Sequence, residues 1–335
     1  MQIIRSRAHA RAGLIGNPSD GYNGKTISII VKDFRAEIVL YEWDTLEIVP
    51  AQEERARYRS IQELARDVKL HGYYGGERLV KATVKRFVEY CQRRGVRLHD
   101  RNFSIRYETN IPRQVGLAGS SAIIAATMRA LMEFYDIHIP QPAQPSFVLS
   151  VENEELGIAG GLQDRVIQVY EGLVFMDFDK AREREVEGFR CYHYEPLDLA
   201  LLPPIYIAYS THLAEPTEVF HNDIRGRFNR GEEKVVAAMK RCGELAALAR
   251  QAILDRDAKR LGELMDENFE MRRGIYNLPP WQVEMIDVAR ACGASAQFAG
   301  SGGTIIGTYR DDAMLEALRQ KLGALECRVI VPKIL

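Results

Sequence analysis

The chain has 335 residues, 46% of them hydrophobic, enough for one large domain or two ordinary ones around substantial cores. Lys and Arg total 45 against 46 Asp and Glu, and the formal net charge of −1 excludes a broad positive field that would collect nucleic acid or anionic lipid; the expected partner is a small molecule. No apolar run approaches the roughly 18 to 20 residues of a membrane span, and the amino terminus, MQIIRSRAHARAGLIG, lacks the unbroken apolar stretch of a signal peptide, so the expected location is the cytoplasm, away from any membrane.

Residues 3–12, 25–31 and 35–41 read as short β-rich runs, with the polar stretch 16–24 as a tight connection between the first two. Helical spacing marks 60–68 and 76–93, the second with Leu79, Val80, Thr83, Val84, Phe87, Val88 and Cys91 on one stripe. Residues 103–108 alternate as a strand should; IPRQVGLAGSSA follows, and 123–135 is an apolar helix with few charges. A second helix over 146–156 is broken at 157–161, helical spacing resumes over 162–170, and 172–178 reads as a strand. Leu202, Pro203 and Pro204 then punctuate the chain, so a second lobe is expected from about Leu201, opening with a strand at 205–209. Long helices are expected over 232–254, 258–275 and 280–291, strands at 294–298 and 304–309 around the loop AGSGG, a helix over 312–322 and a closing strand at 327–331. The five cysteines, Cys91, Cys191, Cys242, Cys292 and Cys327, are scattered with no CxxC pair and read as structural thiols.

Three segments carry chemistry. In PRQVGLAGSSA, small residues between a strand and a helix let backbone N–H groups approach an anion, and Ser120 and Ser121 add hydroxyls for phosphate or Mg²⁺. A plain turn with a serine cap fits the same letters, since this is not the Walker pattern. The loop AGSGG, residues 299–303, leaves room for a ligand, or serves as a hairpin turn. In SVENEELGIAGGLQD, Glu154 and Glu155 read as a solvated face. Glu152 and Asp164 instead sit among apolar neighbours, where a carboxylate needs a partner. Phosphoryl transfer supplies one: a carboxylate to help hold Mg²⁺ and another to accept or orient the attacking hydroxyl's proton, with Arg11 available to stabilise the latter or the moving phosphoryl group.

The order Arg11…GNPSD, PRQVGLAGSSA, Glu152…Gln163-Asp164 and AGSGG resembles the motifs of the GHMP kinases and covers nearly the whole chain. The resemblance implies an α+β fold of two lobes, residues 1–200 like ribosomal protein S5 domain 2 and 201–335 ferredoxin-like, with ATP and a sugar between them. It implies that Pro112, Gly116, Leu117, Ala118, Gly119, Ser120, Ser121 and Ala122 cradle ATP, that Ser120 or Ser121 with Glu152 ligate Mg²⁺, and that Asp164 is the base or orienting carboxylate, assisted by Arg11. Asn17, Asp20 and Tyr22, with Gly300, Ser301, Gly302 and Gly303, fall on the substrate side. The segments GNPSDGYNGKTIS, GYYGG, TNIPRQ and GLQDRV resemble the branch that phosphorylates glucuronate at its anomeric hydroxyl. A uronate carboxylate calls for a guanidinium, and Arg113, Arg165, Arg272 and Arg273 are the candidates; Tyr73 and Tyr74 are candidate pocket aromatics. Galacturonate, fucose, arabinose and a heptose phosphate are the alternative substrates, and a sugar and ATP sensor without turnover is the alternative of another class. Either a monomer or a homodimer is expected.

Overall fold

The computed structural model describes residues 3–50, 75–211 and 224–334; the expected helix at 60–68, Tyr73 and Tyr74 lie outside them. Strand β1 (Ile3–Ile15) passes through one 3₁₀ turn, Ser19–Tyr22, into β2 (Lys25–Trp43), and the two pair antiparallel from Ile3 with Tyr41 to Ile15 with Ile27. The runs 25–31 and 35–41, separate in sequence, are therefore one strand. Their break is a bulge: His9 pairs with Arg35 while Ala10 pairs with Val31, so residues 32–34 loop out of the ladder. Phe34 uses that excursion to meet Tyr209 of the second lobe edge-on at 5.5 Å. Beside it the Lys333 N–H donates to Asp33 and the Lys32 N–H to the Lys333 carbonyl, both at 2.7 Å, tying the carboxy-terminal end to the first sheet.

Strands β3 (Glu47–Val49), β4 (Asn102–Thr109), β5 (Leu173–Asp177) and β8 (His193–Leu197) complete a six-stranded sheet in the order β3-β4-β2-β5-β8, with β1 on the other side of β2. The outer edge of β1 is masked by side chains, because Arg129 and Gln168 donate to the carbonyls of Arg7 and His9 at 2.5 and 3.2 Å. Helix α1 (Gly76–Arg93) packs on α2 (Gly119–Tyr135), which lies on β1 and β2 and is covered again by α3 (Gln144–Ser150) and α4 (Gln163–Tyr170). Burial from several sides is why α2 has almost no polar face. The expected helix over 146–156 starts two residues earlier and ends at Ser150, where a π turn, Val151–Glu155, takes over. That turn buries Val151 and Glu152. The small hairpin β6 (Arg184–Val186) and β7 (Phe189–Cys191), like β3 and β8, was not legible as strand. Its turn residues Glu187 and Gly188 both have positive φ, the geometry of a tight two-residue hairpin turn.

The second lobe carries β9 (Ile205–Ser210), α5 (Ile224–Asn229), α6 (Glu233–Leu254), α7 (Ala258–Ile275), α8 (Pro280–Ala291), β10 (Gln297–Phe298), β11 (Thr304–Thr308), α9 (Asp312–Gly323) and β12 (Cys327–Ile330). The strands form one antiparallel sheet in the order β10-β11-β9-β12. That order, in a β-α-β-β-α-β chain path with extra helices in the first crossover, is ferredoxin-like. Of the expected strand 294–298 only Gln297–Phe298 joins the ladder.

The two sheets share one core. Leu245, Ala246, Ala249 and Ile253 of α6 are buried with Ile27, Ile29 and Leu14 of the first lobe. Polar contacts stitch the seam: the Gly13 N–H donates to the Ala299 carbonyl at 2.7 Å, Asn17 Nδ2 to the Phe298 carbonyl at 2.9 Å, and the Gly16 N–H to Asn268 Oδ1 at 3.0 Å. All five cysteines are free, and all but Cys292 are buried. Among the described residues no helix is long and apolar enough to cross a membrane.

Candidate active site

The glycine loops, residues 112–122 and 299–303, meet. In the first loop every second residue, Gln114, Gly116 and Ala118, has positive φ, a backbone that turns successive N–H groups the same way. For Ala118 that conformation costs about 1 kcal/mol. Ala118 is also the N-cap of α2 and gives it no side-chain cap, so the amino-terminal N–H groups of a seventeen-residue helix are left for an anion. The second loop closes against the first: a Cβ on Gly300 would overlap the Gly116 carbonyl, and Thr304 Oγ1 donates to the Val115 carbonyl at 2.6 Å. Arg11, 6% exposed in β1, holds both loops, donating through Nη1 to the Gly116 carbonyl at 2.5 Å and to the Ala299 carbonyl at 3.5 Å.

The remaining donors of Arg11 grip Asp164 side-on, Nε to Oδ1 at 2.6 Å and Nη2 to Oδ2 at 2.8 Å. Arg165, the next residue in the first turn of α4, stands 3.3 Å from Asp164 through Nη1 and clasps Glu152 with Nε and Nη2. The other oxygen of Glu152 accepts from Ser120 Oγ at 2.7 Å. One line of contacts thus runs Ser120–Glu152–Arg165–Asp164–Arg11. Burial alone would raise the Asp164 carboxyl, but Arg11 and Arg165 outweigh it and hold the group below the ordinary aspartate value. Asp164 therefore stays ionised, with 22% of its side chain exposed. An octahedral Mg²⁺ about 2.1 Å from its ligands sets adjacent ligands about 3 Å apart, so the Ser120–Glu152 spacing fits a cation completed by phosphate oxygens.

Several expected roles shift. Ser121 is buried and donates to the Ala118 carbonyl at 3.3 Å, so it is not joined to Ser120 and Glu152. Arg165, expected on the substrate side, has its guanidinium engaged by Glu152, Asp164 and the Gly161 carbonyl. Glu154 and Glu155 pair with Arg86 and Lys85 of α1, at 2.7 Å and 2.6 Å, as surface ion pairs. Pro112 and exposed Arg113 lie at the start of the first loop, Leu117 is buried beneath it, and Gly119 and Ala122 belong to the first turns of α2. Ser301, Gly302 and Gly303 lie in the second loop, where Gly302 backs onto the Gln282 side chain. Asn17 is turned into the interlobe seam, whereas Tyr22 is half-buried, its ring 4.6 Å from Phe228 and 4.5 Å from the Arg225 guanidinium. Sequence reasoning missed Tyr276, which packs against the same apolar cluster as Tyr22 and Phe228; it lies one residue past α7, with the Arg272 guanidinium 5.6 Å from its ring, and its spacing of four from Arg272 is the signal that could have found it.

Asp20 accepts from the Gln163 N–H at 3.2 Å, and a Cβ on Gly161 would overlap its carboxylate. Burial first, and then the charge of Asp164, push Asp20 up to about 6. The unfolded chain ionises Asp20 near 3.8, so the folded protein loses stability as pH rises from about 4 to 6 and the loss is constant above that. Two pK units correspond to on the order of 2 to 3 kcal/mol. Asp20→Asn should therefore melt higher than the unsubstituted protein at pH 8, with the gap closing toward pH 4. Melting curves that stay parallel across that range would remove the Asp20–Asp164 repulsion.

Residues 78–172 match the family model described as GHMP kinases N terminal domain, and residues 245–326 match GHMP kinases C terminal. The chain belongs to the GHMP kinases. This GHMP kinase is 42% identical to Glucuronokinase 1 of Arabidopsis thaliana, over 90% of its own length and 84% of that protein's. It is 41% identical to Probable glucuronokinase 2 of the same plant, over 91% and 84% of the two chains. In fold it superposes on the galactokinase of Lactococcus lactis with a TM-score of 0.78, covering 99% and 94% of the chains at 15% identity. The first glycine loop, Glu152 and Asp164 fall in the N-terminal family segment and the second loop in the C-terminal one, while Arg11, Asn17 and Asp20 precede both. The candidate site thus draws on three separate stretches of chain.

Proposed function

We propose that this GHMP kinase transfers the γ-phosphoryl group of ATP to the anomeric hydroxyl of D-glucuronate, giving ADP and D-glucuronate 1-phosphate. The 42% identity to Glucuronokinase 1 over nine-tenths of the chain carries this reading. In it, residues 1–200 and 201–335 act as the two lobes around the substrates, a division supported by the second sheet opening at Ile205. The left-handed backbone of the first loop and the amino terminus of α2 receive the phosphates, with Gly116, Leu117, Ala118, Gly119, Ser120 and Ala122 forming the cradle. Glu152 and Ser120 would hold Mg²⁺, which would offset phosphate charge. Asp164, kept ionised by Arg11 and Arg165, accepts the hydrogen bond of the attacking hydroxyl and aims it; a carboxylate held below its ordinary pKa is a weak base, so its main work is orientation. Asp20, Tyr22 and the 300–303 loop border the sugar. Free cysteines and the lack of a membrane-crossing helix among the described residues suit a cytoplasmic enzyme.

Coupled ADP release with Mg·ATP against glucuronate, galacturonate, glucose, galactose, fucose and arabinose tests the reading, with phosphorus NMR of the product. Preferred turnover of glucuronate with an anomeric phosphate is the expected result. Turnover restricted to a neutral sugar would sink the uronate assignment, and none with any sugar would favour a sensor.

A further inference from the structure

Arg272, in the last turn of α7, is 2% exposed. Its Nη1 donates to the Gly300 carbonyl at 2.9 Å, and its guanidinium carbon lies 5.1 Å from the Phe298 ring centre and 5.6 Å from that of Tyr276. Nε is buried with no hydrogen-bond partner, and among the described residues no carboxylate pairs with this arginine. The contrast within the site is plain: Arg11 has Asp164 and Arg165 has Glu152. A buried guanidinium without a counter-charge is costly, and burial presses the pKa of Arg272 below the ordinary arginine value. The aromatic faces and the carbonyl relieve part of that cost without supplying a negative charge.

Its position follows from a circuit of contacts. Asp164 is held by Arg11, which reaches the Ala299 carbonyl; the next carbonyl, that of Gly300, is held by Arg272. Arg272 borders Tyr276, which shares a cluster with Tyr22; Tyr22 is two residues from Asp20, and Asp20 accepts from the Gln163 N–H, next to Asp164. Asp164 and Arg272 are thus joined through Arg11 and the consecutive carbonyls of Ala299 and Gly300. The donor edge of a guanidinium that takes a carboxylate side-on is Nε with Nη2, and Nη1 alone is engaged by Gly300.

We infer that Arg272 is the specificity-determining residue that reads the carboxylate of a uronate substrate through its Nε/Nη2 edge while the anomeric hydroxyl lies at Asp164. The inference rests on the glucuronate reading above. The other candidate arginines offer less: Arg165 is engaged by Glu152 and Asp164, and Arg113 and Arg273 lie on exposed positions.

The test is steady-state kinetics of the full chain with glucuronate and with its neutral isostere glucuronamide, for the unsubstituted protein, Arg272→Lys and Arg272→Met. A charge-assisted hydrogen-bonded pair is worth about 1.5 to 3 kcal/mol, so Arg272→Met should raise KM for glucuronate about 10- to 150-fold. The loss with glucuronate should exceed the loss with glucuronamide at least about tenfold, since loosening of the Gly300 loop touches both substrates alike, with Arg272→Lys intermediate. Equal losses with both substrates, or an unchanged glucuronate-to-glucuronamide ratio, would make Arg272 a prop for the Gly300 loop and overturn the inference. Should Arg272→Met not fold, Arg272→Lys and the unsubstituted protein decide: glucuronamide matching glucuronate in KM overturns it. An unsubstituted protein inactive on glucuronate defeats the functional reading and this inference with it, whereas an active one with no charge preference defeats the inference alone.

Discussion

Asp164→Asn should lower kcat by about 10²-fold or more, the scale on which losing the orientation of a reacting group acts, while ATP affinity changes by no more than about threefold. The asparagine keeps the size of the side chain and one acceptor for Arg11. It removes the charge that Arg11 and Arg165 both face and that the acceptor hydroxyl would meet. Because those arginines hold the carboxyl below its ordinary value, the acid limb of the kcat profile should fall below neutral pH and vanish in the variant. Single-turnover measurement with saturating Mg·ATP reads the chemical step directly. A variant within tenfold of the unsubstituted kcat would take Asp164 out of the reaction and leave it as a strut for Arg11.

Glu152→Gln should act on stability and on metal together. Glu152 is 0% exposed, and both its oxygens are engaged, one by Ser120 and the other by Arg165. Removing its charge leaves the buried Arg165 guanidinium with Asp164, already shared with Arg11, as its remaining acid, a loss of up to about 3 to 5 kcal/mol for a broken buried ion pair. The melting temperature should drop by roughly 10 °C on that scale, and half-saturating Mg²⁺ should rise at least about tenfold. The two effects separate in the double variant Glu152→Gln with Arg165→Met, where no stranded charge remains; most of the lost stability should return and the Mg²⁺ requirement should stay high. A magnesium titration unchanged by Glu152→Gln would move the cation elsewhere, whatever the melting curve shows.

Local pattern carried the sequence a long way wherever one face of an element meets one neighbour. The helices at 76–93, 258–275 and 280–291 keep their expected bounds because periodicity in such segments records the side they bury. The pattern was silent where burial is uneven. The β6–β7 hairpin and β8 are short and carry charges on their exposed faces, so no alternation shows through, and β3 is a three-residue edge strand. The bulge at 32–34 looked like the end of a strand because residues that leave a ladder for the carboxy-terminal segment and Tyr209 also leave its alternation.

The site divides the same way. The sequence by itself offered two glycine loops that fit an anion or a plain turn and two carboxylates among apolar neighbours that need partners, and the order of these motifs, through its resemblance to the GHMP kinases, implied a phosphotransferase. Only the tertiary structure decided their partners. Arg11 and Asp164 are 153 residues apart, and Arg272 and Gly300 join across 28 residues and two elements. Which serine faces Glu152, which arginine is consumed by an acid and which is left without one are questions of direction in space. A linear pattern records which residues prefer to be buried; the partner each then finds depends on the packing of sheet against helix and of lobe against lobe.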